Sequence, residues 1–471
     1  MTSLYEFWCD VINDGQYLWK IEKMHEKYGP IVRVSPKEIH IKDSEYYGTI
    51  YSGSHKVNKD KSTVAGIGTP TSVAATVDHN HHRARRAYLN PYFSKRAIAD
   101  METMMHERLD RFCERLDEAK EYDSVVSLDS AFSALTADLI FERFYGYHLN
   151  YLDIPDFHSP VTKAFMGNSI MFHFARFFPG LVALLKKTPL FLLKVIQPAV
   201  AELQILLDDM KERILSTLKE DTDKKDGNKP VIIAALGDET IPGVERTLDR
   251  LLDEGLVIIF AGTETSSRVM SVALFHLLHN KMHLRKLREE LTALPPRLDH
   301  DYSLQQLEGL PYLSGVVHEG MRLAFGPVCR LPRIAADEAL KYEDFIIPPG
   351  TPVSQSTYFV HTDPSIYPDP WTFDPGRWVK AAKDGFPLNR YLTNFTKGSR
   401  QCIGLQMASA EAYITIARLV LSFEMELCNT TVEDLSIDHV RLVGYPKKAK
   451  YTANARGEIM VKITGRADGE P

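Results

Sequence analysis

Cys402 has the densest chemistry around it. It lies in Phe395-Thr396-Lys397-Gly398-Ser399-Arg400-Gln401-Cys402-Ile403-Gly404, between two glycines, with a cation two positions earlier and a helical pattern just after. Gly398 permits a tight turn and Gly404 lets a large partner come close. A nearby helix N-terminus and Arg400 both favour thiolate over thiol. By residue type the sulfur is a nucleophile, a metal ligand or a buried small group, and all three stay open.

Three further constellations stand out. Glu319 and Arg322 in Glu319-Gly320-Met321-Arg322 share a helix face, which alone marks only a common ion pair. Ala261-Gly262-Thr263-Glu264-Thr265 falls midway along a long helical pattern, where a Thr hydroxyl ordinarily bonds back to the preceding turn. Asp78-His79-Asn80-His81-His82-Arg83-Ala84-Arg85-Arg86 crowds His and Arg together without the partner cluster that zinc or nucleic acid would need. His318-Glu319 does not open an H-E-x-x-H zinc motif, because Arg322 and Leu323 follow. No G-x-G-x-x-G after a strand and no Walker loop is present, which argues against a fused nicotinamide or flavin domain.

The order of these pieces resembles the cytochrome P450 family over about Tyr28 to Gly465. The Phe395–Gly404 segment matches the family's F-x-x-G-x-R-x-C-x-G loop at every fixed position. The resemblance implies that Cys402 is the thiolate axial ligand of a haem b iron, with Arg400 on a haem propionate and Phe395 shielding the sulfur. His82 and Arg86, ahead of Leu89-Asn90-Pro91-Tyr92-Phe93-Ser94, would hold propionates, and Arg333 would be a third partner, with Arg330 competing for that place. Gly262 would open the central helix into an O2 groove, Thr265 would support oxygen activation there, and Glu264 would connect it to solvent protons. Glu319, Arg322 and Arg377 of Phe373-Asp374-Pro375-Gly376-Arg377-Trp378 would form a buried structural network, although Gly376 stands where the family often has glutamate.

The implied fold is mainly α with small β-sheets, a single triangular haem domain with a long central helix. Residues 28–465 would form that domain, 1–27 a helical lead-in without a transmembrane anchor, and 466–471 a tail. The implied activity is a eukaryotic, microsomal, fungal-like monooxygenase. It would use O2 and an NADPH-dependent reductase to hydroxylate an apolar small molecule, a terpenoid or aromatic secondary metabolite. Epoxidation, desaturation or phenol coupling is the alternative, and a non-catalytic haem or electron-transfer protein the remote one. A monomer is expected, with membrane-surface contact left open. Related microsomal enzymes carry an anchor ahead of the Gly-Pro turn. The expected location is the cytoplasmic face of the endoplasmic reticulum for an anchored form, and soluble cytoplasm for the chain as it stands.

The elements that must position these residues follow from patterning. The chain has 471 residues, 44% hydrophobic and 25% charged, with 56 Lys+Arg against 62 Asp+Glu. That composition is ordinary for a globular protein and gives no general reason to expect nucleic acid. Five widely spaced cysteines make a poor disulfide framework. No apolar run reaches the roughly 18–20 residues of a membrane span. Tyr28-Gly29-Pro30 stops a helix before a hairpin across Ile31 to Ile41, and Ser52 to Asp78 reads as one long loop. Helical periods cover 95–119, 130–145 and several stretches between 161 and 218. Glu245 to Asn280 predicts a helix of about 54 Å. Short strands are expected over 333–347 and 351–359, a meander over 363–376, a last long helix from Leu405, and terminal hairpins over 445–465. Substrate walls are expected from 52–77, 172–185, 256–261, 324–329 and 442–445.

Overall fold

The computed structural model describes residues 2–147, 149–181, 188–196, 198–221, 231–295, 301–452 and 457–467. The site rests on helices α1 (His79–Leu89), α2 (Leu128–Tyr145), α3 (Pro160–Phe177), α4 (Leu248–His279), α5 (Pro311–Ala324) and α6 (Leu405–Ser422). The Thr247 side chain accepts the Arg250 N–H and starts α4, which runs about 48 Å. It is shorter than expected at its start because Gly243–Glu245 forms a separate 3-10 turn. Asn280 leaves the helix in extended geometry and caps Lys281–Thr292 instead. Helix α2 packs along α4, and α3, α5 and α6 also contact it. Leu128, Ala131, Phe132, Ala134, Ala137, Phe141 and Phe144 are fully covered, so α2 is a helix buried nearly all round, at the centre of the main core.

Strands β1 (Ile31–Arg33), β2 (Ile39–Ile41), β3 (Val57–Lys59), β4 (Arg333–Ala335) and β5 (Pro352–Ser354) form a five-stranded sheet in the order β1-β2-β5-β4-β3. The expected hairpin is β1–β2, with Ile31 opposite Ile41. The long-loop reading of 52–78 is corrected: β3 pairs antiparallel with β4, and Lys61–Ala65 is a helix capped by Asp60. A three-residue strand leaves too little alternation to read, and its hydrogen bonds come from far along the chain.

Other differences have similar causes. The 95–119 period divides into Lys95–Ala99 and Glu102–Glu121. Strand character over 351–359 stops at Ser354, because Ser356 caps the helix Thr357–His361. The 363–376 stretch is irregular until Gly376 starts a short helix. Met460–Arg466 pairs with Phe423–Leu427 and Val125–Ser127, while Gly444–Tyr445 pairs back to His439–Val440. The terminal hairpins are thus replaced by pairings to earlier segments. Residues 219–229, whose Lys- and Asp-rich composition predicts an exposed loop, begin as the end of helix Pro198–Asp221, and 222–229 lies outside the described residues. Among the described residues, no helix is long and apolar enough to cross a membrane.

Candidate functional site

The Cys402 loop is built from backbone. Cys402 N–H donates to Phe395 O at 2.9 Å, and Gln401 N–H to Gly398 O at 3.1 Å. Gly398 adopts φ +69°, and a Cβ there would meet Ser52 O at 2.2 Å, so only glycine fits. The Cys402 side chain is surrounded by protein yet accessible, because it faces internal space. That space comprises two lobes of about 220 and about 260 Å³. Both are lined by Cys402, Ala261, Thr265, Lys59, Phe395 and Arg400. Burial pushes the thiol up, opposed by the Gly404 N–H, Arg86 and Lys59. The expectation that Arg400 favours the thiolate is therefore corrected, because its guanidinium turns away to the 57–77 segment.

One edge of the cavity is cationic. Arg400 donates to Thr76 O and Val77 O, each at 2.8 Å, and to Val57 O at 3.2 Å. Arg86 donates to Gln401 O at 2.5 Å, and Lys59 to Ala74 O at 2.5 Å. The β3–β4 register sets Lys59 opposite Arg333, whose guanidinium lies over the Tyr51 ring. The Nε atoms of Arg333 and Arg400 are buried without a partner, and among the described residues no carboxylate salt-bridges to these four cations. Burial, then Arg333, Arg400 and Arg86, push the Lys59 ammonium well below its usual range. Burial and then Arg333 hold Arg400 down to about 10. His82, enclosed on α1, is pushed to about 2 by burial and by Arg400, Lys59 and Arg86, so it offers a neutral imidazole. Arg330 faces elsewhere, paired with Glu6 and Glu38.

Helix α4 forms the wall opposite Cys402. Thr265 lines both lobes and donates its hydroxyl to Ala261 O at 2.6 Å, the ordinary back-bond. Gly262 owes its identity to packing: a Cβ there would come within 2.4 Å of Ile140 Cδ1 on α2. The open-groove account of Gly262 is corrected to that extent. Glu264 is buried and turns to hydroxyls on α2 and α3, so the structure does not bring its carboxyl onto Thr265. Neighbours in a helix do not face each other. A third chamber of about 70 Å³ adjoins Thr265 and is lined by Phe165, Met166, Leu323 to Gly326 and Val443 to Pro446. Helix α3 thus contributes residues ahead of the expected 172–185 wall, of which 182–185 lies outside the described residues.

A thiol facing a helix across a cavity with an unpaired cationic edge suits a dianionic, iron-bearing planar group. The cytochrome P450 profile matches residues 6–453. The chain belongs to the cytochrome P450 family. It is 54% identical over 460 residues to the cytochrome P450 monooxygenase TRI4 of Trichoderma arundinaceum, covering 97% of this chain and 89% of that protein. It is 51% identical over 467 residues to the cytochrome P450 monooxygenase SAT11 of Stachybotrys chartarum, covering 99% and 89%. Over 453 residues it is 42% identical to the conidiogenone synthase PchP450 of Penicillium rubens, covering 95% and 90%. The protein is therefore a P450 oxidoreductase, and membership implies a haem-thiolate cofactor, a redox partner, O2 and an organic substrate.

Behind the P450 cavity, Glu319 and Arg322 are wholly buried. Arg322 donates to Glu319 through Nε at 2.9 Å and Nη2 at 2.8 Å. Arg377 Nε adds 3.0 Å and Trp378 Nε1 2.8 Å to the same carboxylate. Burial works against the charge of Glu319, but Arg322 and Arg377 outweigh it and hold the carboxyl below its usual range. Arg322 also reaches His361 O at 2.9 Å, and His361 Nε2 accepts the Thr393 N–H at 2.9 Å. The knot thus ties α5 to the meander and to the stretch leading into the Cys402 loop. Spacing missed Trp378, His361 and Lys59. It also missed Glu411 of α6, whose carboxyl burial pushes up to about 8 at the cavity wall. Lys59 was hidden because only the sheet register reveals it.

Proposed function

We propose that this chain is a haem b monooxygenase that hydroxylates an apolar small molecule, a terpenoid or aromatic secondary metabolite. Its electrons come from an NADPH-dependent reductase. The observation that carries the reading is the Cys402 thiol facing Ala261 and Thr265 across space with an unpaired cationic edge. When bound, the haem supplies electron transfer and O2 cleavage. Cys402 would hold the iron, Arg86, Arg333, Arg400, His82 and Lys59 would hold the propionates, and Phe395 would cover the sulfur. Thr265, its own proton committed to Ala261 O, accepts hydrogen bonds in the groove and keeps a polar atom in an otherwise apolar wall. Glu264 supplies protons. Phe165, Met166, Phe325 and Val443 hold the substrate by apolar contact and exclude water.

The reductase meets the face where His318, Asn389, Lys397 and Gln401 line a cleft of about 400 Å³. Residues 28–465 act as the haem domain, 1–27 as a helical lead-in and 466–471 as a tail, and the enzyme works as a monomer. Exposed Leu4, Trp8, Phe178, Leu181 and Phe191 favour contact with the cytoplasmic surface of the endoplasmic reticulum. Metabolites are compared in a host expressing the chain with a reductase, as native protein and as Cys402→Ser. The native chain yields a new oxygenated product. The variant yields none and loses the thiolate-type spectrum of the reduced carbon monoxide adduct. A retained thiolate spectrum would refute the ligand.

A further inference from the structure

The segment ahead of β1 is tied into the molecule by buried charge. Its turns Ser3–Phe7 and Trp8–Ile12 carry Glu6 and Asp10, and Asp14 follows; all three are buried. Burial works against the Glu6 charge, but Arg330 and Arg176 outweigh it and hold the carboxyl at about 2. One oxygen, Glu6 Oε1, accepts from Arg176 Nη2 of α3 at 2.5 Å and also from Arg330 Nη2. Arg330 continues to Glu38 at 3.1 Å, and Arg176 Nη1 donates to His173 Nδ1 at 3.1 Å. A guanidinium only donates and a carbonyl only accepts. His173 is therefore the neutral tautomer whose Nε2–H goes to Val440 O at 2.7 Å. Asp14 grips Arg441 with both oxygens, at 2.9 and 2.8 Å, and Gly15 O accepts the Val440 N–H at 2.9 Å.

These ties converge on the walls of one chamber. Phe165 and Met166 of α3, Phe325 and Gly326 ahead of Arg330, and Val443 to Pro446 after Arg441 enclose the space of about 70 Å³ beside Thr265. No described residue of the lead-in lines that space; the lead-in holds three separate walls from behind. We propose that Glu6 is a positioning residue that, through Arg176 and Arg330, sets the width of the substrate chamber and so the bulk of ligand it admits. The inference rests on the reading of that chamber as the substrate site and adds what fixes its shape. Without the Glu6 charge, Arg176 keeps Asp10 at 3.4 Å and Arg330 keeps Glu38, while the two cations repel each other. Helix α3 then moves off the 325–330 stretch, and the chamber opens.

The test titrates ferric, haem-loaded protein with two ligands, followed by the haem absorption spectrum. Imidazole reports the haem site itself, and 1-tritylimidazole adds three phenyl rings that must enter the space around it. The quantity read is the ratio of the two affinities, with chemical-denaturation midpoints measured alongside. Glu6→Gln should bind 1-tritylimidazole about tenfold tighter relative to imidazole, the effect of roughly one methylene of room in an apolar pocket. Imidazole alone should bind as it does to the native protein. Should Glu6→Gln fail to hold haem, Arg176→Met, which leaves Glu6 paired with Arg330, carries the same expectation. Met166→Ala, made in the chamber wall itself, should also shift the ratio toward the bulky ligand. If Met166→Ala leaves the ratio native, the chamber does not receive the ligand, and the reading of the chamber falls with the inference. A shifted Met166→Ala beside an Arg176→Met or Glu6→Gln ratio that is native, or moved toward imidazole, overturns the inference alone. A lowered midpoint in that same variant would then assign the lock to stability only.

Discussion

Two enclosed clusters of charge in this molecule solve opposite problems. In the Glu319 knot, two arginines, an indole N–H and a backbone N–H converge on one carboxylate. At the cavity edge, Lys59, Arg86, Arg333 and Arg400 have carbonyls as partners and two guanidinium Nε atoms left bare. The first cluster is complete within the chain. The second is arranged for anionic charge that the described residues do not supply. Glu319 and Arg322 are wholly buried while Lys59 and Arg86 are half-buried against the cavity, and the further difference lies in whether the counter-charge belongs to the protein. A knot of the first kind holds the backbone in place. A cluster of the second kind stores repulsion that an arriving dianion relieves.

The largest break of that contrast is Glu319→Gln. The side chain keeps its shape but leaves Arg322 and Arg377 buried without a counter-charge, which costs about 3–5 kcal/mol. Chemical denaturation of the apoprotein should show the loss, and haem-loaded protein should accumulate poorly. Arg333→Met at the cavity edge should do the reverse in the apoprotein. Removing one mutually repelling cation, whose hydrogen bonds go to the local Leu331 and Pro332 carbonyls and whose place over the Tyr51 ring the Met side chain can take by apolar contact, leaves apo stability equal or higher. Haem retention should fall by about 10- to 100-fold, the equivalent of about 1.5–3 kcal/mol for a hydrogen bond to a charged group. Apo denaturation beside haem transfer to apomyoglobin measures both halves. Loss of apo stability comparable to Glu319→Gln would erase the distinction.

The contrast also has a pH signature. His82 is held at about 2 in the fold, by burial first and then by Arg400, Lys59 and Arg86, against about 6.5 in the unfolded chain. A base whose folded pKa is depressed binds more protons when unfolded. Its stabilisation is therefore full above about pH 6.5 and is lost as pH falls toward 2, by at most about 1.4 kcal/mol per pH unit. His361, at about 3 through burial and then Arg322, acts in the same direction. Apoprotein should thus weaken from pH 7.5 to 5.5, and His82→Gln should flatten that slope. Haem carboxylates placed beside His82 would raise its pKa, so the loaded protein should lose less over the same interval. Equal slopes for native and His82→Gln apoprotein would remove His82 from the account.

What could be read from the sequence and what could not divide along chain separation. Cys402, Arg400 and Phe395 sit within one local run, and Glu319 and Arg322 within one helical turn. Spacing alone therefore put each set on one loop or face. The cavity edge draws on segments far apart in the chain. Lys59 enters through a three-residue strand paired to Arg333, and Arg330 leaves the edge because Glu6 and Glu38 claim it. Neither fact has a local pattern. Glu264 was found by its motif, but its direction depends on Ser133 and Thr162 from two other helices. The fold class followed from long helical periods, while short strands such as Val57–Lys59 and the pairing of Met460–Arg466 depend on tertiary partners.

The smallest expected effect separates two accounts of a residue between these regions. Gly262 lines the cavity and also lies against α2. If its purpose is open space toward the cavity, Gly262→Ala should narrow that space and leave stability nearly unchanged, since Ala favours helix by up to about 1 kcal/mol. The structure puts the new Cβ within 2.4 Å of Ile140 Cδ1, far inside contact distance. The side chain of Ile140 or the α2–α4 spacing has to shift. Overpacking of this kind costs about 1–3 kcal/mol, which the helix propensity gain offsets only in part. We expect a net loss of about 1 kcal/mol, with α4 displaced slightly toward Cys402. Ile140→Val removes the clashing methyl. In a native background it should cost about 0.5–1.5 kcal/mol, but combined with Gly262→Ala it should recover most of the loss. A double-mutant cycle by urea denaturation reads the coupling. Strict additivity would mean that the glycine serves the cavity and not the helix contact.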